Sequence, residues 1–262
     1  MTWVIGRAGP FGYAVGLSDI RITLPNGSEK DCLQKIYNVG PMLALGFAGS
    51  VVIGLEIVNQ LSAALSVTEN NSAWNPLEIA EHLHIGTKEI FNSFPQKIRA
   101  GGCHLMLLSA HPTENDGAAP WARCYVHRFR HPDFRPLPDN PTEIVSIGSG
   151  SQVKHYIDAL RNLEKDFELL KMETMMPQAS ALGLAMSVTS AINKNPVDGI
   201  SPHLHICLVG REGIKLGNND TDVQDHPEEN FTMPPVAQSW EELQEILKLT
   251  GSSKSIIEQA RC

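Results

Sequence analysis

A chain of 262 residues with 42% hydrophobic content can bury the core of one large domain with an appendage, rather than two equal halves. Its formal net charge of −8 argues against a nucleic-acid partner, because counterion release from phosphates needs clustered Lys and Arg. No apolar run is long enough to cross a bilayer and no basic-then-apolar leader opens the sequence, so a cytoplasmic protein with no membrane partner is expected.

The stretches "TWVIGRA", "GYAVGLSDIRITL" and "KIYNVGPMLALGFAG" are short, β-prone and broken by Gly, Pro and the Asn26-Gly27 pair, which predicts hairpin-linked strands. The period then becomes helical. In "SVVIGLEIVNQLSAAL", Val51, Leu55, Val58 and Leu65 share one side and Glu56, Asn59, Gln60 and Ala63 another, with Ser50 as a candidate N-cap. A second helix is predicted at "NPLE": Asn75 caps, Pro76 suits the first helical position, and Glu78 completes a capping box. Its buried face would run through Leu77, Ala80, Leu83, Thr87 and Ile90.

Strands return in "CHLMLLSA", "ARCYVHRF" and "TEIVSIGSG". Ser151 is the expected cap of "QVKHYIDALRNLEKDFELL", in which Val153, Tyr156, Ile157, Leu160, Leu163 and Phe167 recur at helical spacing. The small-residue stretch "QASALGLAMSVTSAINKN" suits a close-packed helix, and "HLHICLVG" reads as a last strand. Strands, two helices, strands, two helices and a strand predict two stacked sheets between helical layers, since each sheet needs its outer face covered. Beyond Gly217 the acidic, loop-like "NNDTDVQDHPEENFTMPP" precedes the helical candidates "SWEELQEILKL" and "SKSIIEQA". The expected division is a main domain over 2–217 and a C-terminal extension over 218–262. The five cysteines, Cys32, Cys103, Cys124, Cys207 and Cys262, form no CxxC pair, which predicts free thiols.

Five features stand in order along the chain: Thr2 at the start, "DIRIT" at 19–23, Lys35 within "KIYNV", "GFAGS" at 46–50 before a helix, and "IGSGS" at 147–151 before another. Together they resemble the proteasome β-subunit and bacterial HslV family of N-terminal-threonine hydrolases, over roughly residues 2–210. The resemblance implies an α+β fold of the four-layer αββα N-terminal-nucleophile type. It implies a peptidase that cleaves unfolded protein or peptides inside a homo-oligomeric ring, with an ATPase unfoldase as an optional partner. Thr2 would be exposed by removal of Met1, with no propeptide.

A Thr hydroxyl is a weak nucleophile until a base takes its proton, and a free terminal amine titrating near about 8 is such a base. By resemblance, Lys35 lies beside Thr2 and favours the proton-accepting amine, Asp19 holds Lys35, and Arg21 anchors the same cluster. Gly49 would donate its N–H to the developing oxyanion and Ser149 would bond near the amine. The pocket for the residue preceding the cleaved bond would be lined by Ile22, Leu33, Phe47, Val51 and Leu55, which implies small or medium apolar specificity. Where the family carries a supporting Asp and Ser, this chain has "NKNPVDGIS", with Asn195 and Asp198 the nearest candidates.

No metal or cofactor is expected. His82 with His84 and His203 with His205 are i,i+2 pairs without completing ligands, and "GFAGS" lacks the Lys-Ser/Thr ending of a nucleotide-binding loop. Two other functions stay open: a catalytically silent scaffold subunit of the same fold, and a small-molecule amidase using the same nucleophile.

Overall fold

The computed structural model describes residues 2–9, 11–65, 75–117, 120–137, 143–170, 177–222, 224, 228 and 230–252. Early strands are β1 (Trp3–Ala8), β2 (Tyr13–Asp19), β3 (Arg21–Thr23), β4 (Glu29–Asp31), β5 (Ile36–Gly40) and β6 (Leu43–Gly49). Helices α1 (Val51–Leu65), α2 (Pro76–Ser93) and the one-turn α3 (Gln96–Arg99) follow, then β7 (Cys103–Asn115), β8 (Ala122–Arg130), β9 (Pro136–Leu137) and β10 (Val145–Gly148). The chain continues through α4 (Lys154–Leu170), α5 (Pro177–Lys194), β11 (Leu204–Gly210), β12 (Gly213–Asn218) and α6 (Trp240–Leu249).

Two five-stranded sheets result, one in the order β10-β1-β2-β11-β12 and the other β5-β6-β7-β8-β9, and every neighbouring pair in both is antiparallel. The architecture is therefore mixed α+β, with antiparallel sheets and helices packed on them. Alternation along a strand sends successive side chains to opposite faces. In β1, Trp3 and Ile5 join a cluster with Tyr156 and Leu160 of α4 and Leu184 and Val188 of α5. Val4, on the other face, joins Met106 and Leu108 of β7 and Cys207 and Val209 of β11, so this second cluster draws on both sheets. A third cluster unites Phe47 of β6 and Leu105 of β7 with Ile53 and Leu55 of α1 and Leu83 of α2. One apolar cluster thus draws on strands of both sheets, and two others join strands to helices.

Local signals explain the element ends. The Asn75 side chain accepts from the N–H groups of Leu77 (3.1 Å) and Glu78 (3.4 Å), as an N-cap does; Glu78 Oε1 accepts from Asn75 Nδ2 at 3.1 Å, a side-chain bond in place of the backbone N–H bond of a capping box. Asn26-Gly27 turns β3 into β4, with Gly27 at φ 83°. Other expectations shift. Leu77 is 40% exposed rather than buried, because it sits in the first turn at the edge of the apolar stripe, while Ala80, Leu83, Thr87 and Ile90 are buried. Ser151 does not cap α4: it donates to Gly148 O at 2.6 Å within a 3-10 turn over Ser149–Gln152, and the helix begins at Lys154.

The strand "HLHICLVG" is followed by a further one, β12, which pairs with it and makes the sheet edge. Part of the segment after Asn218 packs on the preceding strands and helices. Leu243 and Leu247 of α6 are buried in the same cluster as Leu33, Phe47 and Leu55, and Ala237 forms a parallel bridge with Leu33. "SKSIIEQA" lies outside the described residues. Among the described residues no helix is long and apolar enough to cross a membrane.

Candidate active site

Thr2 is the residue before β1, and its neighbour fixes it there. Trp3 is almost fully buried and stacks on Tyr156 with ring centroids 4.6 Å apart, so the start of β1 is pinned against α4. The Thr2 N–H donates to Ser149 Oγ at 3.0 Å; Ser149 Oγ and the Gly150 N–H each donate to Thr2 O at 3.3 Å. Gly148, with φ +88°, lets the turn come this close: a Cβ there would stand 2.2 Å from Thr2 O. Thr2 is 7% exposed.

Asp19, at the end of β2, ties three segments together. Its Oδ2 accepts the Trp3 N–H at 2.6 Å, and its Oδ1 accepts the Arg21 N–H at 2.8 Å and Lys35 Nζ at 2.9 Å. Lys35 also donates to Arg21 O. Lys35 is 1% exposed and Asp19 fully buried, so the pair is held in a low-dielectric interior next to the Thr2 segment. Burial pulls the Lys35 ammonium below its ordinary value, with Asp19 opposing that pull. Such a group trades a proton more readily than a surface lysine.

Arg21 contributes its backbone to this cluster, but its side chain turns elsewhere. Nε and Nη2 engage Asp31 at 2.6 and 3.1 Å, and Nη1 reaches Glu29 at 3.2 Å. The Asp31 hydrogen bond raises the guanidinium further. Burial would raise the Asp31 carboxyl, yet its bonds to Arg21 and Ser201 hold it below the usual carboxylate range. Ser201 donates to Asp31 Oδ2 at 2.7 Å and is buried. Of the stretch "NKNPVDGIS", Ser201 is therefore the residue joined to this network. Asp198 is exposed, and Asn195 serves through its carbonyl, which accepts Tyr156 Oη at 2.9 Å.

A cleft of about 550 Å³ opens on Thr2, with Gly49, Gly148, Ser149 and Gln152 around the polar end. Gly49 has φ +106°, and a Cβ there would meet Gly102 O at 2.5 Å, so only glycine fits the bend leading into α1. The structure therefore brings Thr2, Gly49 and Ser149 to one cleft, with Asp19 and Lys35 tethered one residue away through the Trp3 N–H. Of the five expected pocket residues, Ile22 and Val51 line the cleft. Leu33, Phe47 and Leu55 do not: they are core residues in the cluster shared with α6, whose Trp240 and Leu243 stand on the cleft wall instead.

Two further features were missed from the sequence. His104 of β7 lines the cleft, opposite Ala48 in the strand register. Burial, with His131 and Arg130 nearby, pushes its imidazole down to about 4, so it is neutral near pH 7. The α6 wall is the second. A His inside a hydrophobic strand and an amphipathic helix about 240 residues from Thr2 carry no local signal that they share one cleft. Among the described residues no group of three or more His, Cys, Asp or Glu is placed to hold a metal ion. No known protein-family model matches the chain, and no curated protein matches it significantly.

Proposed function

We propose that the protein is an N-terminal-threonine peptidase built on a four-layer αββα N-terminal-nucleophile sandwich. One observation carries the reading: the buried Asp19 carboxylate binds both the Trp3 N–H and Lys35 Nζ, which ties a buried cation to the residue after Thr2, while Thr2 itself lines a cleft with Gly49 and Ser149. With Met1 removed, the Thr2 amine takes the proton from Thr2 Oγ1 as that oxygen attacks the amide carbon. The Gly49 N–H receives the developing oxyanion. Collapse breaks the C–N bond, the ammonium returns the proton to the leaving amine, and water then hydrolyses the Thr2 ester by the same proton path reversed. Lys35 keeps the amine unprotonated, and Ser149 orients it.

A small-molecule amidohydrolase with the same nucleophile is the second reading, favoured by a cleft of about 550 Å³, to whose lining α6 contributes Trp240, Leu243 and Leu247. The peptidase reading also places Thr2 inside a homo-oligomeric ring, with an ATPase unfoldase as the partner that would feed it; a stable monomer in sedimentation at micromolar concentration would remove that part. The decisive experiment joins intact mass, labelling and turnover. Expected are loss of one Met, a mass gain at Thr2 with a threonine-directed epoxyketone or β-lactone, and abolition of amide hydrolysis in Thr2→Ala. Full activity in Thr2→Ala, or turnover by protein that keeps Met1, refutes the mechanism.

A further inference from the structure

We infer that α6 is the specificity-setting wall of the Thr2 cleft and that the cleft receives a bulky apolar group on the acyl side of the scissile amide. The inference rests on the nucleophile reading above and goes beyond it by naming what the nucleophile acts upon. Three observations converge.

The first is which side chains form the walls. Besides polar lining residues such as Thr2, Thr23, Ser50, His104, Ser149 and Gln152, the cleft is lined by Ile22 and Leu24 of the β3 hairpin, by Val51 and Ile98, and by Trp240 and Leu243 of α6. These last six are apolar. The space of about 550 Å³ falls in the range of pockets that enclose whole small ligands, well beyond what one methyl or isopropyl group fills.

The second is charge. Among the described residues no Asp or Glu lines the cleft, and Lys97, the only ordinarily charged side chain among those lining it, is exposed. A cationic substituent would be desolvated there without a counterion, and an anionic one would meet only a solvated ammonium. An aromatic or long aliphatic group loses no such hydration and gains by burying apolar surface.

The third is how α6 is fixed. Ser239 caps it by accepting the Glu242 N–H at 3.2 Å. The residues just before it are stitched to the strand region that leads to Lys35: the Ala237 N–H donates to Cys32 O at 2.8 Å, and the Gln34 N–H donates to Ala237 O at 3.0 Å. Leu243 and Leu247 are buried against the cluster that holds Leu33, Phe47 and Leu55. Three of the five positions that resemblance assigned to the pocket thus lie in the core beside α6, while Trp240 and Leu243 of α6 line the cleft with Ile22 and Val51. A wall anchored in the core at one side and to the Lys35 segment at the other is rigid enough to sort substrates by size.

The test uses full-length protein and a panel of amides sharing one fluorogenic leaving group, with acetyl-Ala, acetyl-Phe, acetyl-Lys or octanoyl on the acyl side. Wild type is expected to turn over the Phe or octanoyl compound at least about tenfold more efficiently in kcat/KM than the Ala compound. Faster octanoyl cleavage identifies an acyl amidohydrolase and faster Phe cleavage a peptidase; both are bulky apolar groups and both support the inference. Trp240→Ala should collapse the ratio of bulky to Ala turnover, and Trp240→Glu should raise turnover of the Lys compound relative to Phe by about tenfold, a gain that lost packing does not produce. Circular dichroism reports folding, and Trp240→Phe, with an intermediate ratio, serves if the Glu variant does not fold. Thr2 labelling with turnover that shows no bulky preference, or Trp240 variants that change every substrate equally, overturns the inference and leaves the nucleophile reading intact. No labelling and no turnover of any amide by the wild type overturns both.

Discussion

Replacing Lys35 by Met keeps the aliphatic stem and removes the ammonium from a fully buried site where it meets Asp19 Oδ1 at 2.9 Å. Breaking a buried ion pair by deleting one partner costs about 3–5 kcal/mol, because the remaining charge is left uncompensated. Here the remaining carboxylate still accepts the Trp3 and Arg21 N–H groups, which places Lys35→Met at the lower end, about 3 kcal/mol. Asp19→Asn removes the opposite charge and one acceptor shared by three segments, so it should cost as much or more. At about 2–4 °C per kcal/mol for a chain of this size, each variant melts roughly 6–12 °C lower. The double variant leaves no unpaired charge and should cost less than the two singles together by about 2 kcal/mol. Urea unfolding at neutral pH, read as shifts of midpoint at constant slope, measures all four corners of the cycle. Additive costs, or a Lys35→Met variant as stable as wild type, would show that the pair does not hold the β2 end to the Thr2 segment.

Gly148→Ala tests how closely the turn approaches Thr2. Its Cβ would stand 2.2 Å from Thr2 O at a backbone φ of +88°, so a loss of at least about 2 kcal/mol in urea unfolding is expected, together with loss of Thr2 labelling; a variant that labels normally contradicts the geometry. His205 predicts acid sensitivity. Burial, with Lys35 nearby, pushes its imidazole down to about 4 from an ordinary 6.5. Between those values the unfolded chain binds a proton that the folded chain refuses, so its contribution is complete above about pH 6.5 and is lost as pH falls toward 4. At about 1.4 kcal/mol per unit, the loss reaches at most about 3.5 kcal/mol. Urea midpoints at about pH 7 and pH 4.5 should therefore lie closer together in His205→Asn than in wild type, and an unchanged gap excludes His205 as the source.

Which features the sequence disclosed depends on the range over which each acts. The Asn75 cap is written within four residues, since the carboxamide and Glu78 need only one helical turn to meet. Most strands of the two sheets follow from short β-prone runs between turn residues, β9 and β12 give no such signal, and the pairing of Asp19 with Lys35 was implied by the resemblance. Leu77 marks a limit: a periodic apolar residue at a helix end is indistinguishable in sequence from one over the core, and only the packed neighbours decide. Ser151 marks another, because a hydroxyl before a helix serves equally as a cap or as a donor inside a tight turn. The α6 wall and His104 lay beyond reading, since both depend on contacts between residues far apart in the chain. Leu33, Phe47 and Leu55 have pocket-like character in sequence, and nothing near them says that Leu243 and Leu247 are buried in the same cluster.

The two hydrogen bonds between Ala237 and the Cys32–Gln34 segment also set an order of events during synthesis. Lys35 leaves the ribosome about 200 residues before Ala237, an interval of roughly 10–40 s at ordinary elongation rates. Throughout that interval the strand preceding Lys35 lacks the edge that clamps it, and the cleft lacks its Trp240 side. The cleft consequently gains its Trp240 and Leu243 side only after the segment around Ala237 docks, late in synthesis.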